Sequence, residues 1–123
     1  MGNDTFKRAL KKKVKMVFGV DAMPGALGRE YEELIYRVKD GGQDSMDAIT
    51  TITSKSAESM GLGDTIGAIA PGMEADIIAT AGNPVIDITS VRRAVFVMKG
   101  GKVYKNVMPS FTRGPGTVPS GKQ

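Results

Sequence analysis

A short apolar run at positions 14–20, followed at once by Asp21, narrows the possible folds of this chain more than any other stretch. Apolar residues occupy both alternating faces of the run, which predicts a parallel β-strand covered on either side. In α/β proteins such a strand brings a charged residue to the carboxyl edge of the sheet, where ligands bind. Asp21 is therefore the first candidate for chemistry. The alternative is that Asp21 only begins a loop, because aspartate favours turns through local hydrogen bonds.

The 123 residues include neither cysteine nor histidine. The lack of cysteine excludes disulfides, thiolate metal sites and cysteine nucleophiles. The lack of histidine excludes Ser-His and Cys-His pairs, histidine bases and histidine metal ligands. Any catalysis that involves this chain must therefore take such groups from elsewhere.

The length of the chain suits one domain. The sequence has neither a signal-peptide pattern nor an apolar run long enough to cross a bilayer, which predicts a cytoplasmic protein.

The net charge of +4 comes from one cluster of cations near the amino terminus. Its members are Lys7, Arg8, Lys11, Lys12, Lys13 and Lys15. Without this cluster the chain is slightly acidic. A nucleic-acid surface usually spreads its cations over a face and adds aromatic residues or bidentate arginines. We therefore favour a solvated helix end over a nucleic-acid patch, and expect neither nucleic acid nor membrane as a partner.

Helical periodicity fills most of the first half of the chain. A helix capped by Asn3 or Asp4 is predicted to extend to about residue 13, and another over residues 29–39 is predicted to pack its apolar stripe on the strand. That stripe contains Tyr31, Leu34, Ile35 and Val38. Proline and glycine at 23–28 predict a loop between the strand and this second helix.

A third helix is predicted from Asp44 or Ser45 to Met60, with Gly61 as its C′ residue. Its apolar side would contain Met46, Ile49, Ile52, Thr53, Ala57 and Met60. We interpret the methionines as core filler rather than as ligands.

After Gly61 the pattern changes to β periodicity. Short strands are predicted at 66–69 and 75–80, one helical turn at 85–90, and a hairpin in which Gly100-Gly101 joins strand 94–99 to a strand from Lys102. Residues 108–123 are rich in Ser, Thr, Gly and Pro, which predicts a disordered tail. The predicted domains are thus 1–65, 66–107 and the tail, and each of the first two is too small to complete a sheet or a sandwich.

Five segments of the chain follow one another in the order of a known enzyme family. They are Val14-Lys-Met-Val-Phe-Gly-Val-Asp-Ala; Glu32-Glu-Leu with the later Gly41-Gly-Gln-Asp-Ser-Met-Asp-Ala-Ile-Thr and Thr53-Ser-Lys-Ser-Ala-Glu-Ser-Met-Gly-Leu; Ile66-Gly-Ala-Ile-Ala-Pro-Gly-Met-Glu-Ala-Asp-Ile-Ile; Gly82-Asn-Pro-Val-Ile-Asp-Ile; and Val97-Met-Lys-Gly-Gly-Lys-Val-Tyr. Together they span about residues 7–106. In this order they resemble the C-terminal end of the amidohydrolase superfamily, in particular its imidazolonepropionase-like and Xaa-Pro or Xaa-Arg dipeptidase branch.

The resemblance implies an α/β fold: the last strand and helices of a (β/α)₈ TIM-like barrel, then the C-terminal strands of a small β-sandwich, incomplete as a single chain. It also implies that Asp21 is the metal-proximal aspartate and general base of a hydrolase of C–N bonds. The metal, expected to be zinc, would be bound in the complete enzyme by Asp21 and histidines from other strands, and none is expected in the isolated chain. The branch often has Pro-His where this chain has Ala26-Leu27. Whether this loop contacts the substrate, directly or through a neighbouring residue, is therefore an open question.

Two functions remain from these patterns. The chain is either the C-terminal part of a metal-dependent amidohydrolase with a small amide or dipeptide substrate, or a non-catalytic module that dimerises or docks on a complementary barrel segment. Because it begins with Met1 yet lacks the histidine-bearing strands, we expect a truncated gene product, a fragment or a split-enzyme subunit. The unpaired edges of run 14–20 predict oligomers or aggregates at micromolar concentration, and a charge at Val17 would be buried unpaired.

Overall fold

The structure, a computed structural model, describes residues 3–21, 24–25 and 27–107 of the chain. Its helices are α1 (Asn3–Lys11), α2 (Tyr31–Lys39), α3 (Ser45–Ile52), α4 (Ser54–Ser59) and a 3₁₀ helix (Ile88–Arg92). Its strands are β1 (Ile77–Thr80), β2 (Ala94–Lys99) and β3 (Lys102–Asn106). The predicted disordered tail lies outside the described residues. None of the helices in the described part of the chain is long and apolar enough to cross a membrane.

The predicted stripe of α2 packs at the centre of the molecule. Leu34 and Ile35 are buried together with Ala48 of α3 and Ile88 of the 3₁₀ helix. Partly buried side chains complete this core: Phe18, Tyr31, Val38, Ile49 and Val91. The stripe is therefore confirmed, and it joins the helical half of the chain to the β half.

The helix predicted from residue 45 to Met60 is interrupted. Asp44 caps its start as predicted, accepting a hydrogen bond from the Asp47 amide at 2.9 Å, but Thr53 has φ of −123° and ψ of −103° and separates α3 from α4. The hydroxyls of Thr51 and Thr53 donate to backbone carbonyls three and four residues back. Such hydrogen bonds often bend a helix, and a β-branched residue such as threonine loses side-chain freedom inside a helix. Both effects favour the break at Thr53.

The interpretation of the methionines as core filler is wrong. Met46 and Met60 are 50% and 62% exposed, and Ile52 is also exposed. The buried side of α3 passes through Ala48 and Thr51 instead: Ala48 packs in the core with Leu34 and Ile35 of α2, and the Thr51 carbonyl accepts from the Phe18 amide. Met46 and Ile52 therefore point away from the core.

The prediction of a buried parallel strand at 14–20 is wrong for this structure. The run has no regular secondary structure, no described strand pairs with it, and Val14, Val17 and Val20 are exposed. Phe18 alone packs on the core from this run, and its amide donates to the Thr51 carbonyl at 3.2 Å. The run is as apolar as a buried strand, but a strand is buried only between neighbouring strands, and the described residues contain none beside it.

The strands form one antiparallel sheet in the order β1-β2-β3. The predicted hairpin is confirmed, because Gly100 and Gly101 have φ of 54° and 79°, as a type I′ turn requires. Residues 66–69 are not a strand, since Gly67 has φ of 95° and Ile66 donates to the Leu62 carbonyl in a turn. In all three strands the residues are half-buried or exposed, so neither face of the sheet is fully covered by the described chain.

Candidate functional site

Asp21 directly follows run 14–20 and is exposed. It borders a cavity of about 710 Å³ between α1, the run and α2, whose lining includes Phe6, Val20, Glu33 and Arg37. Within the described ranges, no hydrogen bond or ion pair engages the Asp21 carboxylate. The carboxylate is therefore available to a ligand.

Arg37 is the most connected side chain of this cavity. Its guanidinium carbon lies 5.5 Å from the ring centre of Phe6 and 5.0 Å from that of Phe18. Its Nη1 donates to the Val17 carbonyl at 3.4 Å, and its Nε donates to Glu33 Oε1 at 3.3 Å. One side chain thus connects α1, α2 and the run that ends in Asp21.

Gly41 lets Phe6 reach this position. A Cβ on Gly41 would lie 2.5 Å from the Cε1 atom of Phe6 and 2.5 Å from the Arg37 carbonyl oxygen. The sequence analysis missed Arg37. One signal could have pointed to it: Arg37 follows Leu34 by three residues and so lies on the apolar side of α2.

A second cavity, of about 810 Å³, lies between the run and helices α3 and α4. Gln43, which is 4% exposed, donates to Asp47 Oδ2 at 2.7 Å, and the Lys55 ammonium pairs with the same carboxylate. The hydrogen bond from Gln43, together with the Lys55 contact, lowers the pKa of Asp47. The side-chain amide oxygen of Gln43, Oε1, is buried without a hydrogen-bond partner in the structure as described. Because Lys55 belongs to α4 and Asp47 to α3, the pair connects the two helices across the break at Thr53.

The predicted metal site needs several donor side chains close together. Among the residues that the structure describes, no group of three or more His, Cys, Asp or Glu side chains is placed to hold a metal ion. Asp21 offers a single carboxylate, whereas zinc sites in proteins use three or four protein ligands. These residues alone therefore do not fit a zinc site.

The profile of the amidohydrolase family matches residues 2–110, and the chain belongs to this family. The chain is 33% identical over 121 residues to the ochratoxinase of Aspergillus niger, covering 95% of this chain and 23% of that enzyme. In structure it is similar to a Xaa-Pro dipeptidase crystallised with methionine in the active site, with a TM-score of 0.80 and 36% identity over 85% of this chain and 25% of the dipeptidase. The crystal structure of the A. niger ochratoxinase gives a TM-score of 0.73 and 31% identity, over 85% and 24% of the two chains.

The chain thus spans about a quarter of the length of the relatives it matches. The likeness supports a mixed α/β segment of the amidohydrolase fold that ends in a three-stranded antiparallel sheet. The closed barrel, the complete sandwich and the domain boundaries at 65 and 107 stay predictions.

Proposed function

We propose that this chain forms part of a metal-dependent amidohydrolase of the dipeptidase branch that hydrolyses C–N bonds, with Asp21 as the general base. The observation that carries the proposal is that the Asp21 carboxylate, at the end of run 14–20 and beside a cavity, has no hydrogen bond or ion pair within the described residues of a chain of this family. Relatives named ochratoxinase and Xaa-Pro dipeptidase support a small amide or dipeptide as substrate.

The proposed role of Asp21 is proton transfer. Its carboxylate accepts a proton from the water whose oxygen attacks the carbonyl carbon of the substrate. When the C–N bond then breaks, Asp21 returns that proton to the leaving nitrogen, so that the products are a carboxylic acid and an amine. A positioned general base of this kind typically contributes about 10²–10⁴-fold to the rate.

The divalent metal, zinc in our proposal, needs ligands beyond those of this chain. Asp21 would be one donor among several, and the others would come from a complementary barrel segment. We therefore expect the isolated chain to show no hydrolase activity and to retain no stoichiometric zinc after purification in zinc-containing buffer. Stoichiometric zinc held by the monomer would contradict the proposal of a partial site.

Complementation tests the enzymatic proposal. The chain is produced together with the remaining three quarters of the Xaa-Pro dipeptidase, and hydrolysis of a Xaa-Pro dipeptide is followed. We expect the Asp21→Asn assembly to form normally and to lose turnover by orders of magnitude, because the amide keeps the shape but accepts no proton. The control is Asp64→Asn, which removes an exposed carboxylate from a turn outside both cavities. Ordinary turnover of the Asp21→Asn assembly would remove Asp21 from the catalytic role.

A second function, as an assembly module without catalysis, is favoured by the exposed apolar residues. Val14, Val17 and Val20 expose 39–51% of their surface along run 14–20, and Ile78 of β1 exposes 66%. Soluble monomers rarely leave large contiguous apolar patches open. The proposed partner of this assembly module is a second copy of the chain or a complementary barrel segment.

A further inference from the structure

The segment that ends in Asp21 is held to the helices mainly at two neighbouring residues. The Phe18 amide donates to the Thr51 carbonyl at 3.2 Å, and the Val17 carbonyl accepts from Arg37 at 3.4 Å. Beyond Phe18, Gly19 and Val20 are exposed and take part in no hydrogen bond within the described chain. The last anchor before Asp21 is therefore the pair Val17 and Phe18, and the next three residues span at most about 10 Å even if fully extended.

Arg37 contacts both residues of that anchor. Its guanidinium lies over the Phe18 ring and donates to the Val17 carbonyl, while its other ring contact, with Phe6, links the anchor to α1. Its side chain is only 12% exposed, so these contacts are partly shielded from water, and cation–π contacts are stronger when they are shielded in this way. Arg37 thus fixes the run from α2, the helix whose apolar stripe is centred in the core.

We propose that Arg37 is a positioning residue, which sets the place of the Asp21 carboxylate by holding the Val17 carbonyl and the Phe18 ring. The inference rests on the proposed function of Asp21 for its catalytic meaning. Its structural part, the ordering of residues 18–21 by Arg37, can be tested without any activity.

An arginine fits this place better than a lysine. The planar guanidinium lies near both rings, and its nitrogens donate to Val17 and Glu33. A lysine ammonium keeps the charge but offers no flat face and no fork of donors. Arg37→Lys should therefore restore less than half of the ordering that Arg37→Met removes.

The first experiment measures order in the 123-residue chain by NMR. Amide hydrogen exchange at Phe18 and ¹⁵N relaxation at Asp21 are recorded for the native chain, Arg37→Met, Arg37→Lys and the control Lys39→Met, which removes one exposed positive charge from the same helix. We expect Arg37→Met to raise the exchange rate of the Phe18 amide at least tenfold and to lower the order parameter of Asp21. Lys39→Met should change neither. Protection of the Leu34 and Ile35 amides shows that each variant remains folded.

Native values at Phe18 and Asp21 in Arg37→Met would overturn the inference. Equal changes in Arg37→Met and Lys39→Met would also overturn it, because the effect would then come from net charge. If Arg37→Met does not fold, the comparison is made with Arg37→Lys, for which native values at both positions would overturn the inference in the same way.

The second experiment uses the complemented enzyme and separates this inference from the proposed function. We expect Arg37→Met to lower kcat about tenfold to a hundredfold at nearly unchanged KM, because small displacements of a catalytic group cost about this much. Rates are expressed per assembled complex, so a merely structural loss of assembly leaves kcat unchanged. If Asp21→Asn is inactive and Arg37→Met keeps native kcat, the positioning role is overturned and the proposed function stands. If Asp21→Asn keeps native turnover, the proposed function fails, and the NMR result still decides whether Arg37 orders the run.

Discussion

Arg92 of the 3₁₀ helix forms a bidentate ion pair with Glu32 of α2, although the two residues are 60 positions apart in the chain. Nε and Nη2 of Arg92 donate to the two carboxylate oxygens at 2.8 and 2.7 Å. The Arg92 hydrogen bond holds the pKa of Glu32 below its usual range, and Glu32 raises the pKa of Arg92 in return. The pair flanks the contact between Ile88 and the α2 stripe, where the helical and β parts of the chain meet.

We expect the two residues of this pair to be energetically coupled. Arg92→Met and Glu32→Gln should each lower the midpoint of thermal unfolding by a few degrees, and the double variant should lose less than the sum of the two. A double-mutant cycle followed by circular dichroism measures the coupling. Additive losses would show that the pair does not stabilise the junction.

The stability of the chain should fall in acid, partly through Glu32. Because its folded pKa is below the ordinary value, the stabilisation is fully present above the unfolded pKa of about 4.3 and is lost as pH falls through the folded pKa. The same sign holds for Asp76, whose pKa is lowered by the Gly100 amide and by Lys99. Urea unfolding between pH 7 and pH 3 should show this decline, and Glu32→Gln should flatten part of it. An unchanged slope in Glu32→Gln would contradict the assignment.

Gly41→Ala should destabilise the chain by about 1–3 kcal/mol, as overpacking typically does. The new methyl group would overlap Phe6 and the Arg37 carbonyl oxygen, so Phe6 would have to leave the Arg37 guanidinium. The matched control is Gly63→Ala, where the nearest atom outside the adjacent residues, the Cα of Glu58, lies at an ordinary 3.5 Å. Denaturant unfolding of both variants measures the difference, and equal stability of the two would contradict the close packing of Phe6.

The chain should self-associate at micromolar concentration through the exposed run at 14–20. The sequence predicted that a charge at Val17 would be buried unpaired, but Val17 is 45% exposed, so this reason is wrong. We now expect Val17→Lys to weaken association and to leave the monomer folded, whereas Val38→Lys, at a residue packed on the core, should unfold it. Size exclusion with light scattering measures both. A native chain that elutes as a sharp monomer at tens of micromolar would contradict the prediction.

Local patterns were enough to predict the parts of the fold that depend on neighbours in sequence. The stripe through Leu34 and Ile35 follows from helical spacing, and the hairpin at Gly100-Gly101 follows from the positive φ that glycine allows. The cap at Asp44 likewise depends on one side chain and an amide three residues on.

The remaining features depend on contacts that the sequence pattern does not encode. The run at 14–20 is as apolar as a buried strand, but its exposure depends on which strands lie beside it. The break at Thr53 depends on hydroxyl groups that bond back to the helix, and periodicity ignores them. At the candidate site, Asp21 could be selected from its place after the run, whereas Arg37 was concealed because its contacts come from Phe6 and Phe18, 31 and 19 residues away.

The two-glycine turn between β2 and β3 has a consequence for the order in which the chain folds. A hairpin closed by two residues pays little loop-closure entropy, so β2 and β3 can pair within microseconds, before distant segments meet. Strand β1 can then join the pair. Asp76, directly before β1, accepts a hydrogen bond from Lys99 at the end of β2, 23 positions along the chain. The junction of α2 with the 3₁₀ helix must close a loop of 60 residues, so we expect it to form last and the sheet to act as an early folding unit.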